Sequence, residues 1–292
     1  MHRVVVGTGS MAPEIAAALA VAGRPVVIAG RALAGAEAAA RRATALGDVA
    51  EPITALPLEA ATFAGAALVV ETIAEDLGVK RGVLARVEAW CPAEAALVSN
   101  TSSLRIADIA TALARPERFA GLHFLKPAHL TAVVEVIPGP ATDAAVVDDL
   151  GALAGRMGKA PLVVRADVPG FIWNRIQFAV LRECLHMVEA GVADAADIDA
   201  AVSDGLAPRW MAAGPLATAD LGGLAVFATI SAQLFPHLAD DDAAPAELTA
   251  RAADGRPFAP WTAEGGEGVA ELRARALAMG REIADRRREL GA

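Results

Sequence analysis

The sequence predicts an α/β chain: a doubly wound, mostly parallel sheet followed by an all-helical domain. Three observations carry this. Short β-branched runs alternate with helical patterns from Arg3 to Val164, as parallel strands joined by crossover helices require. The alternation stops at Asp167-Val168-Pro169-Gly170, a turn signal. Beyond that turn only helical periodicity remains. The expected domains are therefore 1–167, carrying the sheet, and 168–292, carrying helices.

The first strand, Arg3-Val4-Val5-Val6, runs into Gly7-Thr8-Gly9-Ser10-Met11-Ala12 and then an alanine-rich helix, Glu14 to Ala22. Gly7 permits a tight turn, Gly9 lets backbone approach a pyrophosphate, and Ala12 lets the helix pack on the strand. Ser10 and Met11 complete the turn at the helix N-terminus, where backbone amides meet phosphates. Strand, glycine turn and helix in this order mark a Rossmann-type dinucleotide-binding domain.

The second strand, Pro25 to Ala29, ends in Gly30-Arg31, with Arg41 and Arg42 on the following helix. An NAD site usually places a carboxylate here for the ribose 2′-hydroxyl. A carboxylate would repel a 2′-phosphate, whereas an arginine pairs with it. NADP(H) is therefore expected over NAD(H); the plainer reading makes Arg31 a solvated loop charge. Between Arg31 and Val69 the pattern holds one helix, Ala34 to Ala45, and little more.

Further strands are expected at Ala67 to Glu71, Ala96 to Ser99, Phe119 to Phe124, Val133 to Ile137 and Pro161 to Val164, with helices at Leu77 to Ala89 and Thr142 to Met157. Ligands of doubly wound sheets bind at the carboxyl ends of strands. The hydroxyl-rich turn Asn100-Thr101-Ser102-Ser103 and His123 both fall at such ends. In the second domain, helices are expected at Phe171 to Ala190, at Ala195 to Ser203 behind an Asp194 cap, from Gly214-Pro215 towards Leu234, and at Glu267 to Leu290. Ala239 to Gly268 reads as loop with a short helix. Its apolar content makes the helical domain a candidate homodimer interface.

Composition narrows the function. The 292 residues are 55% hydrophobic and 21% charged, enough for a large core. The net charge is -9 and no basic run exceeds Arg286-Arg287-Arg288, which argues against a nucleic-acid partner. Apolar stretches break well short of a membrane span, and the chain opens directly into a strand pattern, so a cytoplasmic location is expected. Cys91 and Cys184 are isolated and read as packing; no metal site is expected. Tyrosine is absent, which excludes a tyrosine proton relay.

One stretch, Leu122 to Gly139, holds chemistry. His123 follows an apolar run, and Glu135 sits alone inside VVEVI. A carboxylate among valines is costly to bury without a partner. Paired with an imidazole, it fixes the tautomer and gives a general acid/base that works near neutral pH. The plainer reading is a core histidine and an unrelated edge-strand glutamate.

Together these pieces resemble the 3-hydroxyacyl-CoA dehydrogenases of the short 3-hydroxybutyryl-CoA type. The resemblance rests on GTGSMAPEIA at 7–16, VVETIAEDLGVKR at 69–81, VSNTSSLRIADIA at 98–110, RFAGLHFLKPAHLTAVVEVIPG at 118–139, VPGFIWNRI at 168–176 and GPLATADLGGL at 214–224. It implies that His123 is the acid/base and Glu135 its partner. It implies that Ser102 and Asn174 hydrogen-bond the substrate oxygen, and that Glu75 and Lys80 contact the nicotinamide end of the cofactor. Four departures stand out. Lys126 replaces an asparagine usual three residues after the histidine, bringing charge towards the cofactor pocket or an anionic substrate group. Gly30 replaces the acidic residue after the second strand. The segment from Arg31 to Val69 is shorter than in relatives that hold CoA with an extra helical pair. Gly255-Arg256-Pro257-Phe258 stands where a glycine-aromatic motif with a cofactor-binding lysine is usual.

The expected function is an NADPH-dependent reduction of a 3-oxo substrate that is small or carrier-bound rather than a free acyl-CoA. The alternatives are an NAD-dependent 3-hydroxyacyl-CoA dehydrogenase, an imine reductase and a non-catalytic cofactor-binding protein. Trp173 reads as core at the domain junction ahead of a pocket wall, and Trp210 as packing. His129 and His186 read as structural or surface.

Overall fold

The β-branched runs become the centre of a sheet, and the glycine turns and short apolar helices between them set its winding. The computed structural model describes residues 1–47, 50–259 and 267–289. In order, the first part of the chain forms β1 (His2–Val6), α1 (Met11–Val21), β2 (Val26–Gly30), α2 (Leu33–Thr44), β3 (Ile53–Pro57), α3 (Ala60–Phe63) and β4 (Ala66–Glu71). It continues with α4 (Leu77–Trp90), β5 (Ala96–Ser99), α5 (Ile106–Ala110), β6 (Phe119–Phe124), β7 (Val133–Pro138), α6 (Ala144–Arg156) and β8 (Ala160–Val163).

Among the described residues these strands form one eight-stranded sheet in the order β3-β2-β1-β4-β5-β6-β7-β8. Each neighbouring pair is parallel except β6 with β7, which are antiparallel. The order reverses at β1, beside the glycine turn, which is where doubly wound folds bind dinucleotides.

The period of two along each strand divides the core between two faces. Val5, Ile28, Val70, Val98 and Leu122 pack with Ile15 and Leu19 of α1 and Leu150 and Leu153 of α6. Val4, Val6, Val69, Leu97 and Phe119 pack with Phe63, Leu84, Val87 and Ile106 on the other side. Arg3 is buried at the rim, where its guanidinium donates to the Leu19 and Ala22 carbonyls at 2.9 and 3.2 Å. A cation there meets the negative end of α1.

The segment between Arg31 and Val69 holds more than the single helix expected. It also contains β3 and the short α3. The edge strand β3 escaped the sequence reading because Ile-Thr-Ala-Leu-Pro is short, half-exposed on alternate residues and closed by a proline. Such a pattern suits a sheet edge but reads as loop.

The chain divides into two compact units, Met1–Arg175 and Ile176–Ala292. The division falls within α7 (Trp173–Glu189), so its first turn is counted with the sheet. After it, α8 (Ala195–Ala200) is capped by Asp194, whose carboxylate accepts from the Asp197 amide at 3.0 Å. A π-helical turn at Ala201–Leu206 leads into α9 (Ala207–Gly222). That helix is kinked at Gly214, with φ 65°, because Pro215 can start a helical turn but cannot continue one. Among the described residues the remaining α-helices are α10 (Leu224–Leu234), α11 (Ala246–Asp254) and α12 (Glu267–Glu289); Leu290 lies outside the described residues. Among the described residues no single helix is long and apolar enough to cross a membrane.

Candidate active site

The antiparallel pairing of β6 with β7 puts His123 directly opposite Glu135. Their side chains meet, His123 Nδ1 to Glu135 Oε2, at 2.6 Å, with the histidine 3% and the glutamate 0% exposed. With Nδ1 committed to the carboxylate, Nε2 faces the Ser102 hydroxyl at 3.2 Å. The remaining oxygen of Glu135 accepts from the Ile172 and Trp173 amides, each at 2.9 Å. These amides lie at the N-terminus of α7, where the helix dipole favours an anion. Burial by itself would raise the Glu135 carboxyl; the His123 hydrogen bond and the two amides outweigh it and hold the group below its usual value. Phe171 packs its ring against His123, centroids 5.6 Å apart, and takes a positive φ of 53° that delivers the next two amides to Glu135. A non-glycine residue in that region stores strain that the surrounding contacts must hold.

Ser102 lies in the turn after β5. That turn is fastened from three sides. Glu75 Oε1 accepts from Thr101 Oγ1 at 2.6 Å, from the Ser102 and Ser103 amides at 2.9 Å each, and from Ser103 Oγ at 3.0 Å. The Asn174 side-chain amide, in the first turn of α7, donates to the Ser102 carbonyl at 3.0 Å. Asn100 Oδ1 accepts from the Phe124 amide at 2.8 Å, tying the turn to β6. Burial opposes ionisation of Glu75, but its hydrogen bonds and Lys80 bring its pKa down to about 2.

Behind the turn lies a buried ionic cluster. Lys80 Nζ is 2.8 Å from Glu71 Oε1 and 3.3 Å from Glu75 Oε2. Glu71, wholly buried at the end of β4, also accepts from Ser99 Oγ at 2.6 Å and from the Ile73 amide at 2.7 Å.

The structure thus brings together Ser102, His123, Glu135 and Asn174. It sets Glu75 under the Ser102 turn and seals Lys80 behind it. Lys126 is exposed, just beyond β6. The loop that carries it is tied to α1 by the Ala128 amide, which donates to Glu14 Oε2 at 2.6 Å. Trp173 is 42% exposed, which corrects the expectation of a core residue: its amide is used inward while its ring faces out. Glu71 and Ser99 escaped the sequence reading. A signal close to the one that exposed Glu135, a lone carboxylate in an apolar strand, is present in Leu68-Val69-Val70-Glu71, where it closes the strand.

The glycine turn fits a dinucleotide. Gly7 has φ 131°, and a Cβ there would lie 2.3 Å from the Thr72 carbonyl oxygen, so only glycine closes the turn. A Cβ on Gly9 would meet nothing within 4 Å, leaving that backbone open to a ligand. Ser10 makes no side-chain cap at the start of α1, so the first amides of the helix remain available to phosphate oxygens. A Cβ on Gly30 would sit 2.7 Å from Thr8 Cγ2, so the site of the usual acidic residue is already filled. Arg42 reaches the same place, donating to the Thr8 carbonyl at 3.1 Å, while Arg31 is exposed at the end of β2.

Residues 3–168 match the family model of the 3-hydroxyacyl-CoA dehydrogenase NAD-binding domain, and residues 170–265 match that of the 3-hydroxyacyl-CoA dehydrogenase C-terminal domain. A curated relative from Mesorhizobium japonicum, 5-formyl-3-hydroxy-2-methylpyridine 4-carboxylate 5-dehydrogenase, is 32% identical over 97% of this chain and 98% of its own length. A crystal structure of a 5-dehydrogenase of that name, described as an NAD+-dependent dismutase, superposes with a TM-score of 0.86 at 28% identity over 98% of this chain and 97% of its own. The (S)-3-hydroxybutyryl-CoA dehydrogenase of Ralstonia eutropha superposes at 0.68, with 28% identity over 87% of this chain and 94% of its own.

Proposed function

The chain belongs to the 3-hydroxyacyl-CoA dehydrogenase family, and on that premise we propose that it moves a hydride between a nicotinamide cofactor and a small carbonyl or hydroxyl compound bearing a carboxylate, rather than a free acyl-CoA. The observation that carries the chemistry is the relay itself: Glu135 on one nitrogen of His123 and Ser102 on the other. Two further observations support the substrate class. Between β2 and β4 the described residues form α2, β3 and α3, the last of four residues, with no helical pair to hold CoA. The relative matched along nearly the whole chain is named for a substrate carrying a formyl and a carboxylate group on adjacent ring positions.

The bound nicotinamide supplies or accepts the hydride. In reduction, Ser102 Oγ and protonated His123 Nε2 donate to the substrate oxygen as negative charge builds on it. His123 then delivers the proton. Glu135 stabilises the imidazolium and is itself held by two backbone amides, so it does not move as the charge changes. One Asn174 amide hydrogen is spent on the Ser102 carbonyl, and the second is left for the substrate. Oxidation runs the same steps backwards, with His123 taking the hydroxyl proton.

NADP(H) is the favoured cofactor in this reading. Gly30 leaves no room for the ribose-binding carboxylate, and Arg31 and Arg42 bring positive charge to that end of the site. Lys126 is the candidate cation for the substrate carboxylate or the nicotinamide end of the cofactor. A homodimer is supported by large apolar side chains left exposed in the helical unit, among them Leu216 at 84%, Leu221 at 82% and Phe235 at 66%.

The test is a kinetic panel of 2-formylbenzoate, acetoacetate and acetoacetyl-CoA, each with NADPH and with NADH. We expect kcat/KM for a free carboxylate to exceed that for acetoacetyl-CoA by at least about tenfold, roughly 1.4 kcal/mol of transition-state discrimination. A preference for acetoacetyl-CoA overturns the substrate reading, and a preference for NADH overturns the cofactor reading.

A further inference from the structure

We propose that Glu14 is a positioning residue: it holds the loop that carries Lys126 against the dinucleotide-binding helix, and so fixes where that cation meets a substrate carboxylate. This rests on the reading that Lys126 serves such a carboxylate.

Glu14 stands in the first turn of α1, the helix that follows the glycine turn. The loop 125–132 joins β6 to β7 and presents Lys126 three residues after His123. The two segments are 114 residues apart in sequence, yet the Ala128 amide donates to Glu14 Oε2 at 2.6 Å. A hydrogen bond to a carboxylate is shorter than a neutral one and roughly twice as strong. Ala128 is wholly buried, so its amide would be costly to leave without an acceptor. Lys126 lies two residues before that fixed point, and a shift of Ala128 carries it along.

The rest of the loop is fastened differently. The Leu130 and Thr131 amides donate to the Pro127 carbonyl at 3.0 and 3.1 Å, and Thr131 Oγ1 donates to the Leu125 carbonyl at 3.3 Å. Lys159, buried just ahead of β8, donates to the Thr131 carbonyl. These bonds shape the loop and tie its far end to the sheet. Glu14 ties its near end to the dinucleotide side. His129, the next residue after Ala128, has a buried Nδ1 with no hydrogen-bond partner among the described residues. Burial pushes its pKa down against the pull of Glu14, so at neutral pH the imidazole is uncharged and does not compete for the carboxylate.

The experiment compares 2-formylbenzoate with its methyl ester, which keeps the shape and removes the charge. The variants are Glu14→Ala, Glu14→Asp and Glu14→Gln, with Glu14→Ala also made on a Lys126→Ala background. The readouts are the carboxylate-to-ester ratio of kcat/KM, dinucleotide Kd by nicotinamide fluorescence, and amide exchange at Ala128. We expect Glu14→Ala to lower the ratio at least about tenfold, chiefly through KM of the carboxylate, as the cation is misplaced. On the Lys126→Ala background the further loss should be below about twofold, because both changes remove one function. The Ala128 amide should exchange at least about tenfold faster, with dinucleotide Kd within about threefold of wild type. Glu14→Gln keeps an acceptor oxygen at the same reach and should hold the ratio within about threefold of wild type, whereas Glu14→Asp keeps the charge, falls short of the amide and should behave like Glu14→Ala. That pair decides the matter even if Glu14→Ala does not fold.

Additive losses in the cycle, an equal fall for acid and ester, or an Ala128 amide that stays protected in Glu14→Asp would overturn the proposal. If Lys126→Ala leaves the carboxylate-to-ester ratio unchanged, the functional reading fails instead. Exchange at Ala128 then decides by itself whether Glu14 holds the loop.

Discussion

His123 and Glu135 occupy facing positions of β6 and β7, and the 2.6 Å bond between them is a direct product of strand register. Glu135→Gln preserves the shape and removes the charge that stabilises imidazolium. We expect kcat to fall by about 10²–10³-fold, with dinucleotide affinity unchanged. The carboxyl is depressed in the folded protein, so its contribution to stability is present above the ordinary carboxylate value of 4.5 and lost as pH falls below it. Denaturant titrations of wild type and Glu135→Gln should therefore converge as pH is lowered from neutral through that range.

Ser102→Ala should cost about 10²–10³-fold in kcat, the usual loss for one oxyanion donor. The turn around it is held by Glu75 and Asn174 through backbone atoms, so the thermal midpoint should barely move. A large fall in midpoint would show that the hydroxyl is structural.

Arg31→Ala should erase most of the NADPH preference, reducing the NADPH-to-NADH ratio of affinities by at least about tenfold. Gly30→Asp should also lose NADPH binding, and at a cost in stability, since its Cβ would meet Thr8 Cγ2 at 2.7 Å. Binding of 2′,5′-ADP against 5′-AMP by calorimetry reads the effect without turnover. An Arg31→Ala variant with an unchanged ratio would refute the arginine assignment.

Gly7→Ala should destabilise the protein by roughly 1–3 kcal/mol or more, because it combines a positive φ with a Cβ 2.3 Å from the Thr72 carbonyl. Gly9→Ala meets no such obstacle, so its stability should match wild type while dinucleotide affinity falls. Paired measurements of urea midpoint and dinucleotide Kd separate the two glycines.

Glu75 titrates at about 2 rather than its ordinary 4.5. Its stabilising contribution is thus full above 4.5 and disappears as pH falls through 2. The Ser102 and Ser103 amide resonances should hold their positions at pH 5 and shift only towards roughly pH 2; a shift already complete near pH 4 would refute the ionised anchor.

The dinucleotide half of the fold was legible because its signals are local. Gly7, Gly9 and Ala12 follow one strand and open one helix, so spacing alone places them. His123 and Glu135 were legible for a different reason, as polar residues that an apolar strand tolerates only in company. Elements that depend on neighbours were not legible. β3 is a strand because β2 offers it an edge, and Ile-Thr-Ala-Leu-Pro carries no strong pattern of its own. Glu75 is acidic and lies in a polar stretch, so nothing in the sequence shows that it also anchors the Ser102 turn. Glu71 and Ser99 become a pair only when β4 and β5 lie side by side. Gly30 is the converse case. Its departure was visible in the sequence, but the Thr8 methyl that fills the vacated space was not.

The single antiparallel step in the sheet divides the molecule's inheritance in two. Because His123 and Glu135 are matched by pairing, a one-residue slip of either strand would send one of them to the opposite face and end the chemistry. The connection between the strands, 125–132, obeys no such rule. It is pinned instead by the Ala128 amide on Glu14, by the Thr131 hydroxyl on the Leu125 carbonyl and by Lys159 on the Thr131 carbonyl, and between those anchors the exposed Lys126 can change charge without disturbing the match. The acid/base pair and the loop beside it can therefore diverge at different rates. A laboratory library confined to that connection should explore new substrates while leaving the proton-transfer apparatus untouched.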